Sequence, residues 1–190
     1  MTTTYAALLR GINVGGKKKV PMAELRNILE ELGHGQVRTY LNSGNAVFTS
    51  ASRDPDALAA ELAAAIEERF GFEVACMVRT GPYLRSVLDA CPFPAEELAG
   101  KQLHATFFAG PPVTAERFAS IDASAYLPEE FRLGDQVLYL YAPDGLGTSQ
   151  LAAALSRPGL LKGVDETSRN WNTVKALVEM TRAAGDAQAG

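Results

Sequence analysis

Three polar stretches carry residue types suited to ligand chemistry. The first runs Gly11-Ile12-Asn13-Val14-Gly15-Gly16-Lys17-Lys18-Lys19, with Arg10 before it. Glycines allow close backbone approach, free N–H groups in a loop can receive an anion, and Lys17 or Lys18 can pair with phosphate or carboxylate. Gly11, Gly16 and Lys17 satisfy the spacing of a phosphate-binding P-loop, but Lys18 stands where that loop needs Ser or Thr for magnesium. Pro21 also delays the helix start beyond the lysines, so a true P-loop is not expected. The competing account is a glycine turn with solvated lysines.

The second stretch is Thr39-Tyr40-Leu41-Asn42-Ser43-Gly44-Asn45. Turn formation explains Asn42, Ser43 and Gly44. Asn45 is less ordinary, because it should enter a strand, where asparagine is disfavoured; a side-chain bond across the turn would account for it. The third stretch, Thr167-Ser168-Arg169-Asn170-Trp171-Asn172-Thr173, opens a helix. Its asparagines and hydroxyls suit capping, and Trp171 suits burial. Arg169 beside an aromatic ring could equally hold a planar or anionic group. The residues singled out for ligand binding are therefore Arg10, Gly11, Asn13, Gly15, Gly16, Lys17, Lys18, Asn42, Ser43, Asn45, Arg169, Asn170, Trp171 and Asn172.

Other chemistries have little support. His34 and His104 are the only histidines and are far apart, without ligand partners at metal spacing, so no metal site is expected. Cys76 and Cys91 form no C-x-x-C pair and read as small buried thiols, which suits a reducing cytoplasm. Glu30-Glu31, Glu67-Glu68 and Glu129-Glu130 are adjacent acids, most simply solvated. No residue pattern names a cofactor.

The elements that must position these residues follow from periodicity. Tyr5–Arg10 reads as a strand. Met22, Leu25, Ile28, Leu29 and Leu32 recur at helical spacing between Pro21 and Gly33. Val37–Leu41 and Asn45–Thr49 read as a hairpin. Asp54 and Pro55 open a second helix carrying Leu58, Leu62, Ile66 and Phe70, and Val74–Val78 reads as a strand. The order β-α-β-β-α-β is that of a ferredoxin-like unit, in which two helices cover one face of a four-stranded antiparallel sheet.

The second half echoes it. Strands are expected at Leu103–Phe108, Phe131–Leu133, Gln136–Tyr141 and Val164–Thr167, with helices at Thr114–Ile121 and Gln150–Ser156. The expected architecture is α+β: a ferredoxin-like unit over 1–80, a connecting helix and link over 81–100, a second unit with a C-terminal helix over 101–184, and a frayed tail over 185–190. In such a unit we expect the loop after the first strand and the hairpin between the second and third strands at opposite ends of the sheet, which would keep the first two polar stretches apart.

With a net charge of −4 and a pI near 5.3, the chain is not built to grip polyanions over its whole surface. The hydrophobic fraction of 47% is enough for a buried core, and no run is long and apolar enough to span a membrane. The N-terminus does not read as a signal peptide.

Three segments together, Ala7 to Gly16, Tyr40 to Asn45 and Arg169 to Thr173, resemble a bacterial family of unknown function, DUF1697. The resemblance implies two ferredoxin-like units in one chain and names no reaction. Relatives often carry a basic residue after the Gly-x-Ser segment, where this chain has Gln150. They also lead into Arg-Asn-Trp with apolar and threonine residues, where this chain has Asp165-Glu166. Both departures reduce positive charge.

The leading expectation is a small-molecule-binding protein, enzyme or not, that holds an anionic or nucleotide-like ligand with the Gly11–Lys19 loop and the Arg169–Thr173 segment. A rival is a nucleic-acid-binding module using Tyr5, Tyr40 and Phe48 to stack bases. A third is an interaction protein whose polar clusters are purely structural.

Overall fold

The computed structural model describes residues 1–51 and 53–189. The chain is α+β and contains two four-stranded antiparallel sheets and a long C-terminal helix. It divides into two compact units, Met1–Arg85 with Ala176–Gly190, and Ser86–Lys175. The division falls inside the helix that follows the first sheet and inside the last helix. In this division the end of the terminal helix groups with the first unit.

The first unit runs β1 (Thr2–Leu9), α1 (Met22–Glu31), β2 (Gly35–Tyr40), β3 (Asn45–Ala51), α2 (Pro55–Phe70) and β4 (Cys76–Thr80). Its sheet order is β2-β3-β1-β4. Alternate residues Tyr5, Ala7 and Leu9 of β1 join Ala46, Phe48 and Val78 against Leu25, Ile28 and Leu29 of α1 and Leu58, Leu62 and Ile66 of α2. The helical spacing of those apolar residues is what puts both helices on one face. Ala6 and Leu8, pointing to the other face, are also fully buried. Asp54 caps α2, and Gly71, at φ 76°, ends it in the left-handed conformation.

Then come α3 (Gly81–Asp89), β5 (Leu103–Ala109), β6 (Glu130–Gly134), β7 (Val137–Tyr141), α4 (Gln150–Leu155), β8 (Asp165–Asn170) and α5 (Trp171–Ala189). The second sheet has the order β6-β7-β5-β8. Phe108, Leu138, Leu140, Leu151 and Leu155 form its core on the α4 side.

Three expectations are corrected here. The helix expected over Thr114–Ile121 is a single 3-10 turn, Ala115–Phe118. It is cut short because the Asp122 side chain accepts from both the Ser124 backbone N–H and its hydroxyl, starting a new turn at Ala123–Tyr126. The closing strand lies at Asp165–Asn170, polar though it is, because β5 supplies its ladder from His104 to Ala109. Residues 185–189 continue α5 as helix, and Gly190 lies outside the described residues.

Candidate functional site

The chain leaves β1 at Leu9 and makes an excursion before α1. Gly15 and Gly16, at φ 61° and 74°, form the centre of a tight turn closed by a bridge between Val14 and Lys17. Two consecutive positive φ values are the requirement of this turn type, which explains the glycine pair. Asn13 and Lys18 also sit at positive φ, at 57° and 46°.

Asn13 holds the stem. Its Oδ1 accepts from the Val20 N–H at 2.9 Å, and its Nδ2 donates to the carbonyls of Val20 at 2.9 Å and Asn42 at 2.7 Å. Its last bond joins the first polar stretch to the second. Leu9 N–H also donates to the Gly44 carbonyl at 2.8 Å. The loop after β1 and the β2–β3 hairpin therefore occupy the same end of the sheet, and the expectation of opposite ends is wrong. The physical reason is strand direction: β1 and β2 are each antiparallel to β3, so they run the same way and finish together.

Gly44 is required by that approach. A Cβ there would lie 2.8 Å from Ile12 Cδ1 and from Leu9 Cβ, and φ is 92°. Asn45, fully buried, donates from Nδ2 to the Tyr40 carbonyl at 2.8 Å and to Ser43 Oγ at 3.1 Å. It closes the hairpin from within, the cross-turn bond that lets an asparagine enter a strand.

The polar side chains facing solvent here, besides Asn13, are Arg10, Lys17, Lys18, Lys19, Asn42 and Ser43. Lys18 Nζ donates to the Glu73 carbonyl at 2.7 Å, and Arg10 N–H donates to the Ala75 carbonyl at 3.0 Å, so the segment before β4 joins the same end. The side chains of Arg10, Lys17 and Lys19 have no partner among the described residues. Val14 and Leu41 are exposed at the tips of the two loops, at 68% and 55%.

The third stretch lies in the second unit and is differently occupied. Arg169 is only 7% exposed; its Nη1 donates to Thr167 Oγ1 at 2.7 Å and to the Ser168 carbonyl at 2.9 Å. Burial lowers its pKa to about 10, which still leaves the guanidinium charged at neutral pH. Asn170 Oδ1 accepts from the Thr173 N–H at 2.9 Å and caps α5. Trp171 is buried and packs against Tyr139, ring centroids 6.2 Å apart. Asn172 is exposed, its amide lying where a Cβ on Gly100 would stand.

The aromatic residues proposed for base stacking face inward. Tyr5 and Phe48 are each 1% exposed and stack on one another beneath the helices, with His34 against Phe48. Only Tyr40 keeps partial exposure. A nucleic-acid surface built on Tyr5 and Phe48 is thereby ruled out.

Burial raises the Cys76 thiol to about 12 and raises that of Cys91. Both are free thiols. Among the described residues, no three His, Cys, Asp or Glu side chains gather as a metal site would need, and no helix is long and apolar enough to cross a membrane.

The sequence profile of a family described as "Protein of unknown function (DUF1697)" matches residues 1–139. The chain belongs to the DUF1697 family. The matched region includes the first two polar stretches, which meet at one end of the first sheet; the Arg169–Thr173 segment lies beyond it. The solved structure of a conserved bacterial protein from Streptococcus pneumoniae is similar to this DUF1697 chain, with a TM-score of 0.75 and 25% identity over 95% of this chain and 99% of that one. No curated protein matches.

Proposed function

We propose that this chain is a small-molecule-binding protein, and that an anionic group of its ligand is received where the Gly11–Lys19 loop meets the β2–β3 turn. The supporting observation is the convergence of those two stretches through the bond from Asn13 to Asn42. In this reading Asn13, Gly44 and Asn45 hold the frame. Arg10, Lys17 and Lys19 supply positive charge, and Asn42 and Ser43 supply hydrogen bonds. Gly15 and Gly16 let the backbone come close. Arg169, Asn170 and Trp171 secure the start of α5 in this reading, because their polar atoms and ring are already engaged inside the second unit.

We further infer that both units are ferredoxin-like, a reading supported by their sheet orders, β2-β3-β1-β4 and β6-β7-β5-β8. The two free thiols suit a cytoplasmic location.

The test is thermal stability in the presence of pyrophosphate, nucleotides, phosphorylated metabolites and short single-stranded RNA, for the parent and for Lys17→Ala with Lys19→Ala. A ligand at a hundred times its Kd adds about 2.7 kcal/mol, which is on the order of 5–10 °C for a chain of this size. A selective rise that the double variant loses supports the site. A rise that survives in the variant, none with any compound, or a response to RNA alone removes it.

A further inference from the structure

The second sheet carries a pair of hydroxyls on an otherwise apolar face. In the β5–β8 ladder Thr106 stands opposite Ser168 and Phe108 opposite Glu166, and on the other side of β5 Leu138 of β7 stands opposite Thr106. Residues paired across a ladder point to the same side, so these share one face, while Thr167 and Arg169 point to the other. A cavity of about 270 Å³ lies over that face. Its apolar walls include Phe118, Leu146, and Ala152 and Leu155 of α4.

Most polar groups at its lining are already spent. Ser149 Oγ donates to the Glu129 carboxylate and accepts from the Ala152 N–H at 2.9 Å, which ties it to the start of α4. Glu166 has an interaction partner of its own, so it supplies no free charge. Ser156 is exposed to solvent.

The Thr106–Ser168 pair differs. Its two Oγ atoms lie 2.6 Å apart. Two hydroxyls carry two protons, and only one of these can lie between the oxygens. Neither hydroxyl makes another hydrogen bond among the described residues, so the second proton and the remaining lone pairs are left to an occupant.

We propose that this cavity binds a small neutral molecule, an apolar body ending in a hydroxyl, with that oxygen on the Thr106–Ser168 pair. A hydroxyl both donates and accepts, and so answers what the pair leaves over. A charged group would give up its water there without meeting a free counter-charge. Since a cavity of about 150 Å³ accommodates benzene, one of this size takes a body of about ten non-hydrogen atoms. That is too little space for a strand or helix of another protein, which makes a small molecule the occupant. The site lies in the other unit from the anion site proposed above and does not depend on it.

The experiment is calorimetric titration of the full chain with benzyl alcohol, with its isosteres ethylbenzene and benzylamine, and with benzoate. Saturable binding of the alcohol is expected, with the ammonium and the carboxylate at least about tenfold weaker. Thr106→Val with Ser168→Ala replaces both hydroxyls by apolar groups of similar shape, a change the sheet tolerates. In that double variant the ratio of alcohol to ethylbenzene affinity should fall at least about fivefold, because the bound hydroxyl loses its partners. Ala152→Phe, which fills the cavity from α4, should abolish binding of both; should that variant not fold, the double variant decides. Lys17→Ala must leave all of this unchanged. The proposal is overturned if the alcohol does not bind the folded parent at millimolar concentration, if either charged probe binds as tightly as the alcohol, if a folded Ala152→Phe variant still binds it, or if the double variant leaves the ratio intact.

Discussion

Replacing Gly44 by alanine tests whether the two loops are held together as described. The residue sits at φ 92°, and a Cβ would meet Ile12 Cδ1 and Leu9 Cβ at 2.8 Å. Left-handed backbone costs an L-residue about 1–2 kcal/mol, and forcing extra carbon into a packed site costs about 1–3 kcal/mol more. Alanine also restricts the unfolded chain, returning about 0.4–1 kcal/mol. The net expectation is a loss of about 2–4 kcal/mol. Gly15→Ala is the control, for its φ is 61° and nothing lies within 4 Å of its Cβ. It should cost only about 1 kcal/mol, the backbone part alone. In urea titrations at constant m, the midpoint should fall markedly for Gly44→Ala and slightly for Gly15→Ala. Equal midpoints for the two variants would refute the close packing of hairpin on loop.

Asn13→Gly, chosen because glycine accepts the φ of 57°, removes the three side-chain bonds to Val20 and Asn42 and should cost about 2–3 kcal/mol in the same titration. With its pKa raised from 9.0 to about 12, Cys76 holds about a thousandth of the thiolate of an ordinary cysteine at pH 8. Iodoacetamide should therefore label native Cys76 at least about tenfold more slowly than the urea-unfolded chain; comparable rates would contradict its burial. His34 and His104 are both pushed below 6.5, chiefly by desolvation, with Glu61 opposing and Arg53 reinforcing the shift at His34. The unfolded state then binds the proton better, so stability is full above pH 6.5 and falls as the pH drops below it, by at most about 1.4 kcal/mol per pH unit for each histidine. The melting temperature of the parent should fall more steeply than that of His34→Phe between pH 7.5 and 5 if this sign is right.

The first half of the chain was legible because its elements are marked by period and punctuation. Leu25, Ile28 and Leu29 announce α1, Asp54 and Pro55 announce α2, and Asn42 to Gly44 announce the turn. Where marks were weak, reading failed. Ala115, Phe118 and Ile121 have helical spacing, but Asp122 competes for the backbone immediately afterwards, and so short a helix is marginal without strong packing. Asp165–Asn170 carries no apolar alternation, since Thr167 and Arg169 occupy its buried face. The meeting of the two loops was legible in the strand order, given attention to direction: two strands antiparallel to a third finish at one end.

The clamp formed by Asn13 has a use in protein engineering. It closes the excursion at its stem, and the Val14–Lys17 bridge closes the tip separately, so the peptide bond between Gly15 and Gly16 lies outside everything that holds the first unit together. Lengthening a loop costs only about 0.6 kcal/mol for each doubling. A foreign segment spliced at that bond would leave from and return to fixed points, making this tip a display position where an epitope or a reporter peptide can be carried without rebuilding the scaffold.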